Sequence, residues 1–455
     1  MWLFAWRLLA LSSLLAGAIP VARAASRPRY GGSITLEIIE SLTFTDPGDW
    51  PHQLIPLVYD GLVQFDQRGQ LRPALALTWQ HDSDYRRWEF QLRPGVKFHD
   101  GSPLNAAAVA ASLAAHLTGS NVTASGDSAV VFQTQMPASD LPMRLADARH
   151  AVLRRGRDGV TSGSGPFHIV EWQPGRRAKL AANEEYWGGR PFLDSIELQM
   201  GRSLRDQSID LELGKADLAE LTIDDARRAA QHGMKTWASA PGDLLAFIFE
   251  RSSAAVEDAR LRQALALAID RPAMHNVLLQ KQGESTGALL PEWLTGYAFL
   301  FPVARDLEQA RHLLTALSKP PARFSLAYDP ADPLARPIAE RIALNARDAG
   351  IMIQVLSGGK SDLRLARLPL KSLDPVLALA DSAAALGMSE SFKSFASTSP
   401  EALYQAEHQL LSDFRLVPLF HVPSIMGIGP RVRNWDPPRW ADWRLENVWL
   451  EAGTP

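Results

Sequence analysis

The chain has 455 residues, 46% of them hydrophobic, with a formal net charge of −3, so it is long enough for two or three lobes and too long for one small core. No lysine or arginine run forms a stripe that could follow a phosphate backbone, which argues against a nucleic-acid partner. Cysteine is absent, which excludes disulfides, thiol catalysis, thiolate metal sites and a lipid-bearing cysteine in the leader.

Residues 1–24 carry Arg7 near the start, continue through an apolar run from Leu8 to Ile19, and end in Ala22-Arg23-Ala24, a small-x-small cleavage signal. The run is shorter than the ~20 residues of a spanning helix. The sequence therefore predicts a secretory signal cleaved near Ala24, and a mature periplasmic protein that is not a lipoprotein.

"GGSITLEI" (31–38) reads as a strand and "SLTFTDPGDW" (41–50) as the loop after it. Residues 54–66 read as an amphipathic helix stopping near Gly61. Residues 86–98 alternate as a strand, with Trp88, Phe90 and Leu92 on one face. Next comes "HDGSP" (99–103): Asp100-Gly101 is turn chemistry, Ser102 suits an N-cap, and Pro103 suits the first helical position. From Arg149 to Gly165 the chain is basic and glycine-rich, a boundary candidate.

Residues 165–183 predict a hairpin around Pro174-Gly175, and 236–253 a strand at a second junction. The stretch 257–279 predicts one helix, with Leu261, Leu265, Ala268 and Ile269 sharing a face. The C-terminal third predicts a strand at 323–328, a helix at 334–348, Gly350 as its C-cap, and a strand at 351–356 paired in parallel with the first.

The sequence offers little for catalysis. The 11 histidines are scattered without metal-binding spacing. "GGKS" (358–361) ends like a phosphate loop, but Gln354 stands where the earlier glycine is required, so it reads as a turn. "SGSGPF" (162–167) lacks the spacing of a nucleophile elbow. No metal site and no cofactor are expected, and the chain is not expected to be an enzyme.

Five stretches in order, "YDGLVQFDQRGQLRPALALTWQ", "WEFQLRPGVKFHDGSPLNAAAVAASL", "GSGPFHIVEWQPGRRAKLAANEEYWGGRPFLDSIEL", "DARLRQALALAIDRPAM" and "LVPLFHV", resemble the family 5 extracytoplasmic solute-binding proteins of ABC importers, the group of dipeptide, oligopeptide and nickel binders. The resemblance implies an α/β fold, a two-lobed periplasmic binding protein (type II, cluster C-like) with an extra domain. It places lobe I at 25–52 and 161–245 with 425–455 returning to it, an inserted extra domain at 53–160, and lobe II at 246–424. It makes His99, Asp100 and Gly101 a fold-defining turn, and Trp79, Trp88, Trp172 and Trp187 scaffold residues.

The function so implied is capture of a peptide-like or other small solute, as a monomer, for ABC permease subunits at the inner membrane. The alternative is a sensor or partner-binding module uncoupled from import, because 118–160 and 381–405 look short against the family. By family position, the cleft candidates are Thr43, Phe44, Phe247, Phe249, Arg364, Lys371 and Asp374. In the peptide binders an aspartate four residues before a proline holds the ligand's ammonium group; here Lys371 stands four residues before Pro375. Lys371, with Arg364 and Arg367 nearby, would suit an anion. The plainer reading sends Lys371 to solvent, and Asp374 could take over from a neighbouring position.

Overall fold

The computed structural model describes residues 27–451 apart from 67, 115–116, 118–119, 157–159, 251–252, 254–255, 318–322, 393–396, 398 and 438–441. The expected signal segment, 1–24, lies outside the described residues. Among those described, no helix is long and apolar enough to cross a membrane.

Two sheets carry the molecule. The first has seven strands, in the order Phe167–Gln173, Arg177–Ala182, Ser195–Gln199, Ser33–Glu37, Leu218–Glu220, Ile425–Ile428 and Lys235–Ala238. Ser33–Glu37 runs parallel to both neighbours. The second has six, in the order Glu284–Ser285, Leu416–Val422, Asp243–Phe249, Leu363–Leu368, Phe324–Tyr328 and Ile353–Ser357. The last two strands are parallel and enclose the helix Ala335–Asp348, the unit the sequence predicts. A separate four-stranded sheet (Ala76–His81, Arg87–Leu92, Ala129–Thr134, Ser120–Ser125) packs with the helix Ala106–Ala114 around its own core of Trp88, Phe90, Val109, Leu113 and Phe132.

The sequence of Asp243–Phe249, "DLLAFIF", has no polar alternation because both of its faces are covered. Leu245, Phe247 and Phe249 enter one core with Leu261, Leu265, Ile338 and Ile342. Leu244, Ala246 and Ile248 enter another with Leu379, Leu403 and Leu410. Each such phenylalanine contributes about 1.5–3 kcal/mol of apolar burial. Arg87–Leu92 shows the contrasting case, with Trp88, Phe90 and Leu92 buried and Gln91 exposed.

Several local expectations are corrected. Residues 54–66 do not form a helix but a short turn, Ile55–Leu57, followed by the strand Val63–Phe65. Leu54, Ile55, Leu57, Val58 and Tyr59 are all buried in the core of the first sheet, so their apolarity reflects burial on every side and not a helical stripe. The extra domain's core accordingly begins after Tyr59, later than residue 53. Likewise the boundary at 245/246 falls inside a strand that belongs wholly to the second sheet.

The helix after "HDGSP" starts later than Ser102. Asn105 Oδ1 accepts from Ala108 N at 3.0 Å, while Pro103 bridges to Lys97 and Ser102 Oγ donates to Asp100 Oδ1 at 2.5 Å. Residues 257–279 form two helices, Ala259–Ala268 and Arg271–Val277. Asp270 accepts from Ala273 N at 3.0 Å, and Pro272, which cannot donate a backbone hydrogen bond, suits the first turn of the second helix and not the interior of a continuous one.

The turn at 99–101 is structural in the described molecule. His99 Nε2 lies 3.0 Å from the Gly165 carbonyl, and burial pushes the imidazole down to about 4, so it is neutral at pH 7. Gly101 has φ +81°, the left-handed region that favours glycine.

Glu37, at the end of the central strand, is 4% exposed, and its Oε2 has no partner among the described residues. Burial pushes its carboxyl up to about 7, against the opposing pull of Arg202, whose Nε lies 3.6 Å away. A raised folded-state pKa means that ionisation costs stability as pH rises from the unfolded value toward pH 7. Glu37→Gln is expected to raise unfolding stability by about 1–2 kcal/mol at pH 8 and to add nothing at pH 4.5. Urea titrations at the two pH values check this, and an equal change at both would contradict it.

Candidate functional site: the crevice between the sheets

The chain crosses between the two large sheets at two neighbouring places. One joins Lys235–Ala238 to Asp243–Phe249, and the other joins Leu416–Val422 to Ile425–Ile428. The crossings are tied together: Ser239 N donates to Ser424 O at 2.9 Å, Gly242 N to Val422 O at 3.1 Å, and Ser424 N to Ser239 Oγ at 2.9 Å. Two short, paired linkers of this kind permit one body to swing against the other while the cores stay intact.

Beside this hinge lies a cavity of about 100 Å³, walled from one side by Glu40, Trp50, Glu220 and Trp443 and from the other by Asp243 and Lys371. Its position follows from topology. Glu220 ends the strand Leu218–Glu220, and Glu40 lies three residues beyond Ser33–Glu37, its parallel neighbour. Ligand crevices in α/β sheets form at these carboxyl ends of parallel strands. Asp243 opens the all-apolar strand of the second sheet and so points the hinge's only carboxylate at the same space. A second cavity of about 310 Å³ lies against Leu244, Leu290, Leu368 and Ala378 and shares Leu370 and Lys371 with the first.

The electrostatics are dominated by carboxylates. Ile39 N donates to Glu220 Oε2 at 2.7 Å and Leu370 N to Asp243 Oδ1 at 3.3 Å. Burial pushes all three carboxyls up. For Glu220 the charge of Glu40 adds to the rise, for Glu40 its backbone hydrogen bond opposes it, and for Asp243 Arg367 opposes it. Arg367 is divided between Asp243 at 3.7 Å and Asp332 at 3.1 Å.

Farther along the same crevice, the segment around Asp147 locks onto the start of the helix Pro375–Ala385. Asp147 Oδ2 accepts from Ser372 Oγ at 2.6 Å, Leu373 N at 2.7 Å and Asp374 N at 3.2 Å. Arg144 Nε meets Asp374 Oδ2 at 2.9 Å, and Arg149 Nη1 meets Asp381 at 3.2 Å. Burial pushes the Asp147 carboxyl up, but the Ser372 hydroxyl and the neighbouring His150 and Arg149 outweigh it, holding the group below the usual carboxylate range.

The residues singled out from sequence fall into four groups. Phe247 and Phe249 are 0% and 2% exposed inside the core; they are structural and do not face the crevice, because they sit on the face packed against the helices Ala259–Ala268 and Ala335–Asp348. Thr43 and Phe44 lie exposed on the first loop, Phe44 at 67%, and neither walls the cavity. Arg364 pairs with Glu250 at 2.8 Å. Asp374 caps its helix through Val376 N at 2.8 Å and is paired by Arg144, so the protein's own guanidinium occupies the position a ligand cation would need. Only Lys371 lines the cavity, and it is exposed there beside three carboxylates. Glu40, Glu220, Asp243 and Trp443 were missed. Of these, only Asp243 had a readable signal, a lone acid after Pro-Gly at the mouth of a fully apolar strand.

The model for bacterial extracellular solute-binding proteins, family 5, matches residues 70–377. The probable D,D-dipeptide-binding periplasmic protein of Escherichia coli is 25% identical over 381 residues, covering 76% of this chain and 73% of its own. The nickel-binding periplasmic protein of the same organism is 23% identical, covering 69% and 68%. Among solved structures, the ABC transporter-associated periplasmic binding protein DppA of Helicobacter pylori in complex with the peptide STSA superposes with a TM-score of 0.78 at 19% identity, covering 93% of this chain and 99% of that one. NikA of Brucella suis in complex with Fe(III)-EDTA gives 0.77 at 19%, covering 92% and 100%. The two-lobed α/β architecture and the family match agree: the chain belongs to the family 5 bacterial extracellular solute-binding proteins.

Proposed function

We propose that the protein captures a small solute in the periplasm and delivers it to the permease of an ABC importer, acting as a monomer after removal of its signal near Ala24. The observation that carries this reading is the cavity at the hinge, walled from both sheets at the carboxyl ends of parallel strands. A solute that touches both walls favours the closed form only by the difference in its affinity for the two forms. The relatives named for binding peptides and nickel support the transport reading. A role confined to sensing finds no separate support in the geometry, and the crevice calls for capture without chemical change.

The test is native purification from a periplasmic extract, followed by denaturation and mass spectrometry of what is released. One small molecule near stoichiometry is expected, and uptake of that molecule should fall in a strain lacking the gene. Unchanged uptake in that strain would overturn the importer role.

A further inference from the structure

The expectation of an anionic ligand does not survive the surroundings of Lys371. Three carboxylates, Glu40, Glu220 and Asp243, wall the same cavity. Arg364 and Arg367, the other two cations expected to help, are held by Glu250, Asp332 and Asp243. Lys371 makes no ion pair within 4 Å among the described residues. An anion entering this space meets three carboxyl groups against one lysine, and any of the three that ionises repels it.

A second, independent feature points to a ligand. Trp443 walls the cavity, is 4% exposed, and its indole N–H has no acceptor among the described residues. A buried donor left unpaired costs about 1–3 kcal/mol, and a ligand oxygen would remove that cost. No group of three His, Asp or Glu among the described residues is arranged to hold a metal ion.

Resting on the binding role proposed above, we infer that the cavity takes a compact organic cation: its ammonium or guanidinium lies against Glu40, Glu220 and Asp243, and a carbonyl or carboxylate oxygen accepts from Trp443 Nε1. Recognition of the positive end is thereby carried by the first sheet and the hinge. It is not carried by the helix start at Asp374, where Arg144 is already bound. Burial is the main cause of the upward shift of the three carboxyls, with the charge of Glu40 adding to it at Glu220, and a bound cation would oppose it.

Calorimetric titration of the mature wild-type protein, freed of co-purified solute, with L-arginine, L-ornithine amide and putrescine against succinate and L-glutamate tests the assignment. At least one cation is expected to bind and neither diacid to do so. Glu220→Gln, which preserves shape, should weaken the cation at least tenfold, and Lys371→Ala should leave it unchanged or tighter. Trp443→Phe should weaken arginine and ornithine amide but not putrescine, which has no oxygen. Binding of a diacid, loss of cation binding in Lys371→Ala, indifference to Glu220→Gln, or failure of all three cations at millimolar concentration would each overturn it. Those outcomes leave the capture role standing if a neutral or anionic solute co-purifies and is imported; only unchanged uptake in the deletion strain removes that role.

Discussion

Asp147→Ala is expected to open the clamp. In the structure this one carboxylate accepts from the Ser372 hydroxyl and the Leu373 and Asp374 amides, and Ser372 is completely buried. When the two bodies separate, water can take these donors; when they stay together, alanine leaves the Ser372 hydroxyl and Leu373 N without this acceptor, while Asp374 N keeps Ser372 Oγ at 3.0 Å. The penalty therefore falls on the closed form, at about 3 kcal/mol for hydrogen bonds to a charged group. That is roughly a hundredfold shift in the open–closed equilibrium, and apparent solute affinity should fall in proportion to the closed fraction. Asp147→Asn keeps one acceptor and should lie between. Solution scattering of the variants checks the opening, and a wild-type radius of gyration together with wild-type affinity in Asp147→Ala would contradict it.

Gly165→Ala is expected to be strongly destabilising. A Cβ there would lie 2.6 Å from the Val58 carbonyl carbon, 2.7 Å from its oxygen and 2.9 Å from Tyr59 N. All three are backbone atoms in a fully buried segment, so no side chain can rotate away. Gly165 also holds this junction by donating to Val58 O at 3.0 Å while its carbonyl accepts from Asn183 Nδ2 at 3.1 Å. The expected loss is about 3 kcal/mol or more. Gly101→Ala is the control: it has φ +81° but nothing within 4 Å of the added Cβ, so it should cost only about 1 kcal/mol. Denaturant midpoints decide the comparison, and equal losses would refute the steric account.

The contrast between these two glycines shows what the sequence makes legible. Asp100-Gly101 announces a turn from local chemistry alone. "SGSGPF" announces only that it is glycine-rich, because its reason is the backbone of residues over a hundred positions away. The same limit explains the elements that came out differently. The periodicity of 54–66 looked helical, but Tyr59 and its neighbours are apolar because the first sheet's core surrounds them. The parallel unit from Phe324 to Ser357 was legible because each of its signals is local.

At the site, family position led to Phe247 and Phe249, which lie on the strand that Asp243 opens but on the face packed against Leu261 and Ile338, opposite the face of Leu244, which walls the second cavity; one residue of register exchanges the faces. Lys371 was placed by counting from Pro375 and does reach the crevice. The carboxylates around it were invisible to that count, because Glu40, Glu220 and Asp243 come from three separated stretches that only the sheet order brings together. Asp374 was legible as a cap before a proline, but its partner Arg144 is supplied by a different part of the chain.

The most direct measurement is the distance between probes placed on the two sheets' bodies, for example at exposed Arg177 and Arg336, with and without the solute recovered from the periplasm. The account predicts two distance populations in the unliganded protein, more of the longer one in Asp147→Ala, and a shift of both proteins to the shorter distance on saturation. A single distance, the same in both proteins and unmoved by saturating solute, would contradict it.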